Sequence, residues 1–499
     1  MNVDITLAAH TNVGKTTLMR TLLRRDIGEI ADRPHVTENA ERHTLLQTPE
    51  GDALHLWDTP GFGDSARLLK RLRMSGNPIG WLQTQVWDRF VDRPFFCSQE
   101  AVRAVRESSD LVLYLVNASE DPAATAYVEA ELEILRWIGK PVLLLLNQAG
   151  RPSGRAAAAA EEQRWQQRLA AYVPAGSVLT LDAFARCWVQ EDRLLELAGP
   201  LLPMEKRPGF AALRAAWRER NLAVFHESVG AMANAVAETA VDHEPIPEGA
   251  GIGASLASAA RKLVSKEADT PDPATQAAVD AVARRLRERE RALADRLIAL
   301  HGLDGRARER ILSNIAAAVE VSRPTDVKAA GAVGGLVGGA LTGLATDLAT
   351  GGLTLGLGAL VGGIVGALGL GGAAAAYNSA MGLERGAVRW MPALLRERVA
   401  AVLLLYLAVA HYGRGRGAWI DEEAPAHWAQ AVADSLRLRE AALDAIWERG
   451  RSEMASGVHA RLELELAEAT RDALVRLYPE CVSLWEHTAP GAASVTEPS

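Results

Sequence analysis

Apolar and polar side chains alternate at Val3, Ile5 and Leu7, which predicts a strand at the start of the chain. Leu18, Leu22 and Leu23 then recur at helical spacing, so a helix follows. Leu54 and Leu56 mark a further strand, and Thr44–Gln47 another before it. Leu111–Val116 and Val142–Leu146 are unbroken apolar runs of the kind covered on both faces in a parallel sheet. Ala123–Ile138 and Ala156–Ala171 are helical patterns, and Val178–Leu181 is a last strand. Strands alternating with helices over residues 1–200 predict a doubly wound, mainly parallel α/β domain.

Beyond it the pattern turns helical, over 201–325 and 377–488. Val279, Val282, Leu286, Leu293 and Leu297 form an apolar stripe within the highly charged Ala278–Leu300. Val399–Ala410 is a 12-residue apolar run, too short to span a bilayer and read as a core helix. Glu244–Gly249 (E-P-I-P-E-G) reads as a linker, and 489–499 as a disordered tail.

One segment breaks the pattern. Between 326 and 376, Gly331, Gly335, Gly339 and Gly343 recur every fourth residue, and Asp347 divides two apolar arms of 17 and 26 residues, Ala329–Ala345 and Gly351–Ala376. A span needs about 20 residues, so the arms suit a hairpin with both ends on one side. Arg323, Lys328, Arg385 and Arg389 flank it, which fits a cytoplasmic side. A tightly packed soluble hairpin is the other reading. Each glycine costs a water-exposed helix roughly 1 kcal/mol relative to alanine, which favours membrane contact.

Composition narrows the picture. The chain has 499 residues, a net charge of −8 and a pI near 5.9, against a dedicated nucleic-acid binder. Cys97, Cys187 and Cys481 are scattered, with neither metal spacing nor a disulfide framework, as in a reducing compartment. The first strand begins almost at once, leaving no room for a signal peptide, so a cytoplasmic protein is expected, with peripheral or hairpin-inserted attachment to the inner membrane as the variant.

The candidate chemistry lies in the loop between the first strand and helix, Ala9-His-Thr-Asn-Val-Gly-Lys-Thr16. Backbone N–H groups of Asn12, Val13 and Gly14 and the helix N-terminus suit phosphate oxygens. Lys15 supplies charge to the β- and γ-phosphates, and Thr16 a hydroxyl to Mg²⁺. Trp57-Asp-Thr-Pro-Gly61 follows at the end of a strand: Asp58 suits the Mg²⁺ shell, and Gly61 brings a bare N–H to the γ-phosphate. Thr37, in the polar stretch between them, is the candidate gating threonine on Mg²⁺, with Thr44 as its rival.

On A-x-x-N-V-G-K-T-T, R-P-H-V-T and D-T-P-G-F, the first 200 residues resemble the Era, TrmE and Der group of translation-factor-related GTPases. The whole chain resembles a bacterial set in which such a domain is fused to a C-terminal domain of unknown function, with a long insert after D-T-P-G. The resemblance implies GTP hydrolysis with Mg²⁺, a monovalent cation such as K⁺ beside Asn12, and Thr17 at the α-phosphate. It also puts Phe62 where Ras-like proteins carry a water-orienting glutamine, so water must be positioned otherwise. Ala9 stands where the family has glycine. Asn147-Gln148-Ala149-Gly150 stands for N-K-x-D: Asn147 is kept, Gln148 replaces lysine, and Gly150 lacks the carboxylate that reads guanine, which leaves ATP open.

The insert, Gly63–Gln99, carries a basic helical pattern (Arg67–Arg73) and then Trp81, Trp87, Phe90, Phe95 and Phe96. Its aromatics are expected to pack onto the domain. No nucleic-acid module is recognisable. The sequence thus predicts a nucleotide-controlled switch acting on a helical, membrane-contacting region; the alternative is a membrane-binding scaffold with a nucleotide clamp. A homodimer, a separate effector protein and membrane lipid remain open as partners.

Overall fold

The computed structural model describes residues 1–24, 40–74, 93–148, 155–181, 187–245, 273–303, 387–390, 392–412, 426–450 and 454–485. The chain divides into two compact units, one of Met1–Ala223, Ala410–Ile420 and Leu474–Ser499, the other of Val224–Val409 and Asp421–Ala473.

The first unit is built on a six-stranded sheet of order β2-β3-β1-β4-β5-β6. β1 (Asn2–Ala9) lies parallel between β3 (Ala53–Asp58) and β4 (Leu111–Asn117), and β5 (Val142–Asn147) and β6 (Val178–Thr180) extend the parallel order. The apolar runs occupy the centre: every residue from Leu111 to Val116 and from Val142 to Asn147 is buried. β2 (Glu41–Gln47) is the antiparallel edge. Its Glu41 and Arg42 are exposed, and charges on an edge strand discourage pairing with other chains.

Helices cover both faces, as the alternating pattern predicts. α1 (Lys15–Leu23) follows β1, α2 (Ser65–Met74) lies within the insert, and α3 (Arg93–Ser108) begins in it. α4 (Ala126–Ile138) ends on Gly139 at φ 76°, whose N–H donates back to Leu135 and Arg136 carbonyls. α5 (Arg155–Arg168) follows β5, and α6 (Trp188–Ala198) opens on Cys187, whose N–H donates to Gln190 Oε1 at 2.9 Å. Phe95 is wholly buried against Leu68, Leu72 and Val105, as expected of the insert's aromatics, and Arg67 and Arg71 lie 4.9 and 5.0 Å from its ring centre. Trp81, Trp87 and Phe90 lie outside the described residues. The three cysteines are buried, and none forms a disulfide among the described residues.

The second unit is mainly helical. α7 (Arg207–Val241) crosses the division of the chain; α8 (Pro273–Leu300), α9 (Pro392–Ala410), α10 (Ala426–Arg437), α11 (Glu440–Gly450) and α12 (Ala455–Leu477) follow. The stripe from Val279 to Leu297 is buried, as is nearly all of Val399–Ala410. Arg398 pairs with Glu290 in this interior.

One expectation changes. Glu244 and Pro245, read as linker, belong to β7 (His243–Pro245), which pairs antiparallel with β8 (Ala387–Arg389). Arg285 holds this ribbon, donating to Asp242 at 3.1 Å and to Glu244 at 2.8 Å. No described helix is long and apolar enough to cross a membrane. The glycine-rich stretch 326–376 and the tail 489–499 lie outside the described residues.

Candidate phosphate site

β1 delivers the loop at its C-terminal end, where nucleotides bind in open parallel sheets. The loop needs two left-handed residues, and the sequence supplies tolerant ones: Asn12 at φ 65° and Gly14 at φ 94°. A Cβ on Gly14 would lie 2.7 Å from Asn147 Nδ2. Leu18 N–H donates to Gly14 O at 2.9 Å, starting α1 at Lys15 and aiming its N-terminus at the loop. Val13 is buried and Thr17 nearly so. Ala9 is wholly buried and is not among the left-handed residues, so its methyl is accommodated.

β3 ends at Asp58, and the next turn folds directly onto the loop. Thr59 Oγ1 donates to Leu7 O at 2.7 Å, and Phe62 N–H to Ala9 O at 3.0 Å. Thr11 returns two bonds to Phe62 O, from its N–H at 3.1 Å and its hydroxyl at 2.8 Å. The approach at Gly61 admits no side chain: a Cβ there would lie 2.9 Å from Thr11 Cα and 3.1 Å from Lys15 Nζ. Phe62 turns its ring wholly into the core.

Thr16, Asp58 and Lys15 converge. Thr16 Oγ1 donates to Asp58 Oδ2 at 2.7 Å. Asp58 is 4% exposed, and its Oδ1 has no partner among the described residues. A bare, buried carboxylate oxygen beside a threonine hydroxyl is a hard-oxygen donor set that fits Mg²⁺. Burial pushes Asp58 above its ordinary value, against the pull of Lys15 and Thr16. Burial lowers Lys15, and Asp58 and Glu131 oppose it. Phosphate oxygens in the loop would relieve that ammonium's lost hydration.

β5 brings Asn147 from 134 residues away: its buried Nδ2 donates to Val13 O at 2.7 Å. Gln148, left-handed at φ 55°, reaches Asn12 O at 3.4 Å. Lys15, Thr16, Asp58, Gly61 and the 12–14 loop thus meet at one place, with Asn147 and Gln148 against the loop's carbonyls. Thr37, Ala149 and Gly150 lie outside the described residues.

Two further groups reach the site without having been read from the sequence. Ser98, on α3, accepts from Gly63 N–H at 3.0 Å and Asp64 N–H at 3.2 Å, just past the turn. Glu131, wholly buried on α4, contacts His10 Nδ1 at 2.6 Å and accepts from Tyr114 OH at 2.7 Å. The signal for Glu131 is an acid on the apolar face set by Val128 and Leu135.

The sequence that builds this site has known relatives. A family model described as "Domain of unknown function (DUF3482)" matches residues 167–476, and one described as "50S ribosome-binding GTPase" matches residues 4–148. The chain belongs to the DUF3482 family and carries an Era/Der-like P-loop GTPase domain. The GTPase domain is 27% identical over 144 residues to GTPase Era of Heliobacterium modesticaldum, covering 29% of this chain and 38% of that protein. It is 31% identical over 160 residues to GTPase Der of Myxococcus xanthus, covering 32% of this chain and 28% of that one. The chain therefore spans well under half the length of either relative. Among solved structures, an Aquifex aeolicus Era variant bound to GDP and AlF4⁻ is 15% identical, with a TM-score of 0.31 over 40% of this chain and 57% of that one.

Proposed function

We propose that the protein hydrolyses GTP to GDP and phosphate, and that the nucleotide state of this site controls the helical region beyond it. The observation that carries the reading is the unpartnered buried Asp58 Oδ1 beside the Thr16 hydroxyl and the Lys15 ammonium. Backbone N–H groups of the 12–14 loop and the α1 N-terminus bind the phosphates. Lys15 neutralises charge on the β- and γ-phosphates, and Gly61 N–H donates to a γ-phosphate oxygen as negative charge builds there. Water attacks the γ-phosphorus, the bond to the β–γ bridging oxygen breaks, and GDP leaves with the electron pair. Thr16 and Asp58, with Thr37 as the gating threonine, would hold Mg²⁺, which would supply charge neutralisation to the phosphates. Thr17 bonds the α-phosphate, and Asn147 and Gln148 brace the loop on the base side. Asn12 carries the K⁺ role that the family motif implies. Phe62, buried, leaves water without a glutamine in cis, so intrinsic turnover is slow.

The chain is organised as a nucleotide domain (1–200, with the 63–99 insert), helical regions (201–325 and 377–488) and a membrane-contacting hairpin (326–376). The second reading is a membrane scaffold with a clamp of relaxed base specificity, favoured by Gly150 in place of the guanine-reading carboxylate. One experiment separates them: GTP and ATP hydrolysis with and without K⁺ and liposomes, on the wild type and Lys15→Ala. GTP turnover that K⁺ stimulates and that falls by about 10²-fold or more in Lys15→Ala supports the switch. Turnover unchanged in that variant overturns the site. Tighter ATP than GTP binding, with lipid binding indifferent to nucleotide, supports the clamp.

A further inference from the structure

The carboxylate of Glu131 is wholly buried, and its hydrogen-bond partners come from the loop and from β4. Oε1 lies 2.6 Å from His10 Nδ1, on the residue preceding Thr11. Oε2 accepts from Tyr114 OH at 2.7 Å, on β4. Ser65, the first residue of α2, favours the anion of the same carboxylate. Glu131 is 0% exposed, Tyr114 is 0% and Ser65 is 2%.

A fully buried carboxylate is a costly way to fill a core. An apolar side chain of similar size serves packing as well or better. What a carboxylate adds is direction, because its oxygens accept from groups at fixed angles. One of these partners, His10, rides on a segment that meets the turn at the phosphate site. His10 is part of the loop whose Thr11 bonds Phe62 O twice. Ser65 stands four residues after Gly61, at the start of the helix that the turn leads into. Between them the turn is already fastened to the loop through Phe62 N–H and Ala9 O. Glu131 therefore ties the loop, and through it the turn, to α4 and β4, and its charge acts on Lys15 from the same position. His10 is further held by Tyr127, whose ring lies 4.5 Å from the imidazole.

We infer that Glu131 is a positioning residue for GTP hydrolysis, holding His10 so that Lys15 on the loop and the Gly61 N–H on the turn fastened to it stay aligned on the γ-phosphate. The inference rests on the phosphate-site reading above. Misplacement by about 1 Å in such a site costs on the order of 10²-fold in rate. Burial pushes the Glu131 carboxyl upward, while His10, Tyr114 and Ser65 favour its anion. Burial and Glu131 together push the Tyr114 phenol well above its ordinary range, which keeps it a donor.

The test is single-turnover GTP hydrolysis on the full chain, with GDP affinity and thermal unfolding measured in parallel. The variants are Glu131→Gln, His10→Ala and their double mutant. The positioning role gives a turnover about tenfold lower in Glu131→Gln with GDP affinity within about twofold of wild type. It also gives a double mutant no slower than Glu131→Gln alone, because the two residues act as one unit. Unchanged turnover in folded Glu131→Gln overturns the inference. So does a loss of turnover matched by an equal loss of GDP affinity, the mark of simple unfolding, and so do additive effects in the double mutant. If Glu131→Gln does not fold, His10→Ala decides: it must lower turnover while sparing GDP affinity. Lys15→Ala separates the layers, since hydrolysis that survives it sinks the site itself rather than the role of Glu131.

Discussion

At the scale of single residues, Asp58 shows how the site trades stability for chemistry. Burial raises the carboxyl above its ordinary value, so its anion is less comfortable in the folded protein than in water. The sign follows. In the window between the ordinary value and the raised one, the folded state binds more protons than the unfolded chain, so this group's contribution falls as pH rises through it. Above that window the nucleotide-free protein carries the full penalty. Asp58→Asn removes the charge and keeps the shape, so the free protein gains stability above that window. The same change deletes the oxygen proposed to face Mg²⁺, so turnover is expected to fall by about 10²-fold or more. Denaturant unfolding without ligand, beside a Mg²⁺ titration of turnover, reads both effects. Loss of stability together with loss of turnover would make Asp58 an ordinary structural acid. Lys15, Thr16, Asp58 and Gly61 were legible because strand–loop–helix patterning fixes where each falls. Glu131 was not, because one acid on an apolar helix face announces no partner until the fold brings His10 and Tyr114 to it.

Among elements, the strands and helices of the first unit followed from local periodicity, and what periodicity missed depends on contacts far apart in sequence. β7 is three residues long and ends in a proline, so nothing local marks it; its partner lies near residue 388. Ser98 is a similar case. It stands 35 residues from Gly63, yet its hydroxyl accepts from Gly63 and Asp64 and donates to Pro94 O at 2.9 Å. Asp64 in turn accepts from Arg67 N–H at 3.1 Å, the side-chain capping pattern of a helix start, so α3 steadies the beginning of α2 through this residue. Ser98→Ala leaves two backbone donors without that acceptor and costs about 1 kcal/mol of stability. Because both donors follow Gly61 directly, the variant also speeds proteolysis near α2 in the nucleotide-free protein. Limited proteolysis with mass spectrometry tests this. A cleavage pattern identical to wild type would show that the insert helix does not steady the turn.

Over the whole molecule, the switch reading makes a demand that binding alone does not. Any ligand that prefers the folded first unit stabilises it, by about 2.7 kcal/mol at a concentration of 100 times its dissociation constant. GDP and a non-hydrolysable GTP analogue both do this, so stabilisation says nothing about control. A switch requires the two nucleotides to favour different states of the helical region, because a ligand shifts an equilibrium only by its differential affinity for the two states. The described helices of the second unit provide the readout. α9 is buried along most of its length, and the charged face of α8 carries Arg285 and Arg289 on Asp242. Their backbone amides exchange slowly unless the unit opens. Hydrogen exchange over α8 and α9, compared between the GDP-bound and analogue-bound full chain, is expected to differ by several-fold. Lys15→Ala, which cannot hold either nucleotide tightly, should erase the difference. Equal exchange in the two nucleotide states of the wild type, with both sites saturated, would leave hydrolysis intact and remove the effector from it. The first unit would then be an enzyme or a clamp whose product state the helical region does not sense.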